Sequence, residues 1–301
     1  MNSNPNHEGH RAGVVAIGGH SNVGKSTLLN RLVGQKVAIV TPRPQTTRRR
    51  IVGIRSDPDA QMILIDTPGL HESSRPLNRR MVDTARRSIA EGQVIVAVVV
   101  ARESLGATDL AAVTELCALK RPTVIAINKI DLLARPKLLP LLDRFNREAF
   151  AAEIVPVSAL TGENIDELVR VIKQMMPLGP PLMPADQYTD QTERALAAEV
   201  IREKIFLAMR EEVPFSTEVK VESWSDEEER KLVKIAAEIL VEREAHKGMV
   251  IGAGGLMLKR IGTEARLEIE ELLGSHVFLE LRVRVERNWT RDPRKLTEMG
   301  F

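Results

Sequence analysis

The sequence predicts an α/β domain, a mostly parallel six-stranded sheet with helices on both faces, followed by a smaller α+β domain. Three observations carry this. Short apolar runs alternate with helical stretches up to residue 176. Four prolines then fall within Pro177–Pro184, a stretch that can be neither helix nor central strand. Beyond it, segments that alternate apolar and polar residues with period two lie among helical segments.

In the first domain, residues 13–176, buried strands are expected at Gly13–Gly18, Met62–Asp66, Val94–Ala101, Pro122–Asn128 and Glu153–Ser158. Each is an apolar run bounded by turn formers. Helices are expected at Lys25–Val33, Leu77–Ala90, Ala107–Leu119, Lys137–Phe150 and Ile165–Met176, and an extra strand at Ile51–Arg55 after an Arg-rich loop. Residues 1–12 are expected to be disordered and residues 177–190 to form a linker. The second domain, residues 191–301, opens with an amphipathic helix at Gln191–Glu212. Strands follow at Thr217–Trp224 and Val233–Arg243, then helices at His246–Ile251 and Gly255–Leu273. A last strand, Val277–Glu286, places Val277, Leu279, Leu281, Val283 and Val285 on one face. The order αββααβ describes a helix-covered three-stranded sheet.

Composition narrows the function. With 43% hydrophobic and 28% charged residues, the chain reads as globular rather than disordered or fibrous. A single cysteine, Cys117, excludes an intramolecular disulfide and any cysteine-rich zinc module, and fits a reducing cytoplasm. No signal peptide is visible, and the longest apolar run is too short to cross a bilayer. Residues 1–184 carry 24 Lys/Arg against 17 Asp/Glu, and residues 185–301 carry 19 against 24. The first part is thus net +7 and the second net −5, so any nucleic-acid surface in the second domain must be a local patch. Only nine Phe, Trp and Tyr are present, which argues against aromatic base-stacking platforms.

The strongest chemical signal is Gly19-His20-Ser21-Asn22-Val23-Gly24-Lys25-Ser26, which matches G-x-x-x-x-G-K-[ST] between an expected strand and an expected helix. Glycines let the backbone wrap so that several N–H groups, through Thr27, point at one anion. Lys25 offers a point charge to the β/γ-phosphates and Ser26 a hydroxyl to Mg²⁺. Asp66-Thr67-Pro68-Gly69 ends an apolar strand. The carboxylate suits a Mg²⁺ partner held through water, and the Gly69 N–H can meet a γ-phosphate. Asn128-Lys129-Ile130-Asp131 ends another. A carboxylate at Asp131 accepts from guanine N1–H and the exocyclic amine, a pair that adenine lacks. Ser158-Ala159-Leu160 ends the last strand, where a backbone N–H can bind the guanine 6-oxygen.

These four motifs, in this order, resemble the translation-factor-related GTPases of the P-loop superfamily. The resemblance implies GTP and GDP as ligands and slow hydrolysis with Mg²⁺. Many Ras-like members place a water-orienting Gln directly after the glycine of the Asp66–Gly69 motif; here that position is Leu70, with His71, read as a surface histidine, beyond it. Thr46 and Thr47 are the adjacent hydroxyls suited to a γ-phosphate-sensing Mg²⁺ ligand, and Thr47 is favoured. Arg48, Arg49 and Arg50 read as a solvated basic run before they read as charge stabilisers. In the tRNA-modification and ribosome-assembly branch, which has an apolar residue at the Leu70 position, the residue matching Asn22 binds K⁺. A loop-stabilising amide is the alternative.

Gly252-Ala253-Gly254-Gly255 is a GxxG between two helices inside αββααβ, and resembles the type II KH domain. That resemblance implies that the glycines admit a nucleic-acid backbone, that any side chain at Gly254 or Gly255 obstructs it, and that Val250, Ile251 and Ile261 form a groove for single-stranded bases. Lys247, Lys259 and Arg260 are the nearby cations. Ala253 stands where Lys is usual. If the loop is only a turn, the RNA surface falls on Arg282, Arg284 and Arg287. Together with QTTRRRI, VPVSALTGENIDEL and VERNWTRDPRKLTEMGF, the whole chain is similar to the bacterial GTPases that carry a C-terminal KH domain. That family implies a monomeric cytoplasmic factor for small-subunit (30S) ribosome assembly that binds 16S rRNA near its 3′ end. It also implies a loose association with the inner face of the membrane, for which no anchor is visible. Two other readings are an RNA-modification GTPase, for which no catalytic domain remains unassigned, and an RNA chaperone with a vestigial GTPase, against which Lys25, Ser26, Asp66 and Asp131 argue.

Overall fold

The computed structural model describes residues 9–70, 75–102, 106–148, 150, 152–227, 229 and 231–301; His71 lies outside them. The chain divides into two compact units. One holds residues up to Ala38, Thr47–Ser73 and Arg80–Asp190; the other holds Ile39–Thr46, Ser74–Arg79 and Gln191–Phe301.

The first unit contains β1 (Arg11–Gly18), α1 (Lys25–Val33), β2 (Ile51–Asp57), β3 (Ala60–Asp66), α2 (Pro76–Glu91, its first turn in the other unit) and β4 (Val94–Val100). These are followed by α3 (Ala107–Cys117), β5 (Thr123–Asn128), α4 (Leu138–Arg147), β6 (Glu153–Pro156) and α5 (Ile165–Met175). The sheet order is β2-β3-β1-β4-β5-β6, parallel except for the β2–β3 pair. Burial on both faces explains the continuous apolar runs of β3, β4 and β5. Ile17 pairs with Asp66 and Val100 with Asn128, so the carboxyl ends of four parallel strands meet at one edge.

Two expectations change here. Strand β1 starts at Arg11, inside the stretch expected to be disordered, because Arg11 pairs with Ala60 and the Ala12 N–H donates to Pro177 O at 3.2 Å. Residues 177–190 form neither helix nor sheet strand, as their prolines lead one to expect, but they are fastened to the first unit. Gln61 accepts from Leu182 and Met183 N–H and donates to Met183 O, and the Ile54 N–H donates to Tyr188 O at 2.8 Å.

The second unit contains α6 (Glu193–Ala208), β7 (Thr217–Glu227), β8 (Leu232–Val241), α7 (Glu244–Ile251), α8 (Leu256–Leu273), β9 (His276–Val285) and α9 (Pro293–Glu298). The sheet runs β7-β8-β9, with β7 antiparallel and β9 parallel to β8. Its core joins Val200, Ile201 and Ile205 of α6 to Ile235, Ala237 and Ile239 of β8 and Ile261, Ala265 and Ile269 of α8. Helix α6 stops at Ala208 rather than Glu212: Met209 turns extended, and Pro214 starts a separate 3-10 turn. Helix α9 was not expected. Asp292 caps it by accepting from the Arg294 N–H at 2.9 Å, and Pro293 occupies its first position.

Candidate nucleotide and RNA sites

The first site grows from the turn between β1 and α1. Gly24 is left-handed (φ 96°), and a Cβ there would lie 2.3 Å from Asn128 Nδ2. Only glycine lets the loop close on Asn128, which donates to Val23 O at 2.9 Å. Lys129 Nζ donates to Asn22 O at 2.8 Å. The second and third strand-end motifs thus brace the first from both sides: Leu70 N–H donates to Gly19 O at 3.2 Å, and Gly69 lies against the Ser21 backbone. Thr67 donates to Ile17 O at 3.0 Å, and Pro68 follows in the same buried turn. Val23 is buried, His20, Ser21 and Thr27 are half-buried, and Asn22 is exposed with φ 63°.

Three oxygen groups converge behind Lys25. Ser26 Oγ donates to Asp66 Oδ2 at 2.6 Å and lies 2.8 Å from Thr47 Oγ1, which donates to the same Asp66 oxygen at 3.3 Å. Thr46 points elsewhere, to Thr41 Oγ1 and Arg43 O. Asp66 Oδ1 is buried with no hydrogen-bond partner among the described residues. Burial pushes the Asp66 carboxyl pKa up, against the pull of Lys25 and the Ser26 and Thr47 hydroxyls. Burial likewise pushes Lys25 down despite Asp66. A buried carboxylate with an unsatisfied oxygen beside two hydroxyls is the hard-oxygen donor set that Mg²⁺ takes. Lys25 Nζ rests on the Gly19 and His20 carbonyls at 3.3 and 2.9 Å.

At the base end, Ser158 Oγ donates to Asp131 Oδ1 at 2.5 Å, and the Ala159 N–H donates to Asn128 Oδ1 at 3.0 Å. Leu160 is exposed at the loop apex. Of the arginines after Thr47, Arg48 departs from the expected solvated run at 4% exposure, Arg49 is half-buried, and Arg50 is exposed and pairs with Glu91 at 3.5 Å.

The second site is the turn between α7 and α8. Gly252, Gly254 and Gly255 all have positive φ. A Cβ at Gly252 would lie 2.7 Å from Met257 Cβ, whereas Gly254 and Gly255 face open space. Beside the turn runs a groove of about 390 Å³, lined by Gly255, Leu258, Lys259, Gly262, Thr263 and Arg266 with Leu279 and Leu281 of β9. Arg266 is held by Glu270 at 2.9 Å. Two expected groove residues are elsewhere: Val250 and Ile261 are fully buried in the core, because they occupy the inward faces of their helices. Ile251, Lys247 and Ala253 are half-buried to exposed near the turn, and Arg260 pairs with Glu264 at 2.8 Å. The alternation of Leu279 and Leu281 was visible in the sequence; what faced it was not. Of the alternative surface, Arg282 pairs with Glu280 and Arg284 with Glu238.

Fold and sites together define a P-loop GTPase joined to a KH domain. Family models agree, matching the 50S ribosome-binding GTPase family over residues 14–129 and the KH domain over residues 212–290. GTPase Era of Syntrophus aciditrophicus is 46% identical, covering 97% of this chain and 95% of its own. GTPase Era of Geotalea uraniireducens is 49% identical, covering 97% and 98%. The chain belongs to the Era family of GTPases. Among solved structures, a single-substitution variant of Aquifex aeolicus Era bound to GDP·AlF4⁻ matches with a TM-score of 0.92 at 42% identity, covering 96% of this chain and 99% of that one. Era in complex with MgGDPNP and nucleotides 1506–1542 of 16S ribosomal RNA matches at 0.93 and 42%, covering 97% and 99%.

Proposed function

We propose that this GTPase is an RNA-binding factor for assembly of the small ribosomal subunit, which holds 16S rRNA near its 3′ end through its KH unit and is switched by GTP. The observation that carries the reading is the open Gly254–Gly255 turn beside the α8–β9 groove, in a chain whose phosphate-loop, Asp66 and Asn128 motifs meet through hydrogen bonds. A relative solved with 16S rRNA nucleotides supports the choice of RNA.

In this reading, the turn from Gly19 to Thr27 wraps the phosphates, Lys25 neutralises the β/γ charge, and the Gly69 N–H faces the γ-phosphate. Ser26, Thr47 and Asp66 hold Mg²⁺, which when bound offsets charge on the phosphate oxygens. Asn128, Lys129, Asp131 and Ser158–Leu160 select guanine. Leu70 is buried and carries no group to orient water, so unaided turnover is slow. The exposed amide of Asn22 supports a K⁺ ion beside the phosphates. Equal rates in potassium and sodium salts would remove it. A monomeric, cytoplasmic protein with peripheral contact to the inner membrane face rests on the family resemblance alone. No helix among the described residues is long and apolar enough to cross a membrane.

Titration of a labelled single-stranded RNA carrying the 16S 3′ segment, at two salt concentrations, tests the KH assignment. Gly254→Asp introduces a charge in open space at a φ of 57° that aspartate tolerates, so the domain folds. Phosphate repulsion should weaken RNA binding at least about tenfold, with GTP binding intact. Ala253→Lys should tighten it modestly, less so at high salt. Wild-type affinity in Gly254→Asp would move the RNA surface elsewhere.

A further inference from the structure

The loop that follows β6 is held by a residue that no nucleotide motif includes. Arg31, in the last turn of α1, donates from Nε to Ala159 O at 3.1 Å and from Nη2 to Leu160 O. The helix that begins with Lys25 and Ser26 is thereby joined to the loop that begins with Ser158, 128 residues away. Gly162 (φ 91°) lets the loop turn closely over the guanidinium, 3.7 Å from Nη1 to where a Cβ would stand.

The N–H groups around this anchor are nearly all committed. Ser158 donates to Glu163 O, Ala159 to Asn128 Oδ1, Thr161 to Ser158 Oγ and Gly162 to Ser158 O. The Leu160 N–H donates to nothing among the described residues. It shares a peptide with the Ala159 carbonyl. In a trans peptide the C=O and N–H point in opposite directions, so fixing Ala159 O onto Arg31 fixes the aim of the Leu160 N–H. The planar guanidinium holds both carbonyls with two donors of fixed geometry, which an ammonium does not reproduce.

We infer that Arg31 is a positioning residue for guanine recognition, aiming the Leu160 N–H at the 6-oxygen of the base. The inference rests on the proposed reading that Ser158–Leu160 face the base. The aimed donor favours an acceptor at purine position 6 and disfavours the amine of adenine.

Affinities of the full chain for GDP, 6-thio-GDP and IDP, with Mg²⁺, separate the possibilities. The thio analogue keeps the N1–H and 2-amino groups and replaces the 6-oxygen with a poor acceptor. Inosine keeps the oxygen and loses the amine read by Asp131. Wild type should prefer GDP over both. In Arg31→Ala the preference over 6-thio-GDP should shrink about three- to tenfold, the worth of one well-aimed hydrogen bond. Its preference over IDP should stay unchanged, and Arg31→Lys should fall between. Arg31 is exposed, so neither variant opens the core. An unchanged thio preference in Arg31→Ala, or an equal loss of both preferences, overturns the inference. A wild type that fails to distinguish 6-thio-GDP from GDP overturns the reading beneath it as well.

Discussion

Substituting Gly69 by Ala should slow GTP hydrolysis while sparing GDP binding. The new Cβ would stand 2.7 Å from both N and Cα of Ser21 and 2.9 Å from its Cβ. Ordinary contact begins near 3.4 Å, so one backbone must retreat by about 0.7 Å. Rotamer changes give no relief, because two of the three atoms are main chain. The approach is also tethered on the next residue, where Leu70 N–H donates to Gly19 O at 3.2 Å. Overpacking of this kind costs about 1–3 kcal/mol. At about 1.4 kcal/mol per tenfold, that is roughly a five- to 140-fold loss in kcat/KM for GTP. GDP brings no γ-phosphate to meet the Gly69 N–H, so its affinity should change by less than about threefold. Steady-state phosphate release and titration with a fluorescent GDP analogue measure both. A kcat/KM within about twofold of wild type would refute the steric argument, and a parallel loss of GDP binding would show that the whole phosphate loop had collapsed.

Three further outcomes follow from other parts of the first unit. Asp131→Asn should lose preference for guanine and gain xanthine nucleotides, since an amide donor then faces the base; nucleotide competition assays read the exchange. Leu70→Ala should lower stability by about 2–4 kcal/mol in denaturant titration, because Leu70 is 6% exposed in the core beside Ala85 and Val99, yet leave turnover per folded molecule near wild type. Burial raises the Asp57 pKa, but Arg55 and Lys173 outweigh it and hold that carboxyl low, and the Lys173 hydrogen bond lowers Asp59. Such carboxylates stabilise the fold above their unfolded pKa near 4, and the gain is lost as pH falls through their depressed folded values. Lys173→Met should therefore move the acid-unfolding midpoint to higher pH, at a cost of under about 1 kcal/mol at neutral pH.

The phosphate loop was legible because its chemistry is local: four fixed positions and a strand–turn–helix context lie within a few residues. Helix α1 falls at Lys25–Val33, as periodicity and Gly34 indicate. What the sequence could not convey were partners far apart in the chain. Arg48 looks like any surface arginine in a basic run, and its burial depends on the folded surroundings of the loop. Val250 and Ile261 are apolar residues next to a candidate site, and periodicity says that they lie on one face without saying whether that face meets solvent or sheet. Residues 177–190 were correctly non-helical from their prolines, but their attachment is written in Gln61, more than 100 residues earlier. Arg31 is the same case, since no local pattern links α1 to Ala159.

Coupling between guanine nucleotide and RNA within this one chain is what the proposed function requires. Its most direct test is the affinity of the 16S 3′ RNA segment for the full-length protein with saturating Mg·GDPNP and with Mg·GDP. Binding at least about fivefold tighter with the GTP analogue is the predicted result, the lower end of ordinary coupling between two sites. Equal affinities in the two nucleotide states would contradict it.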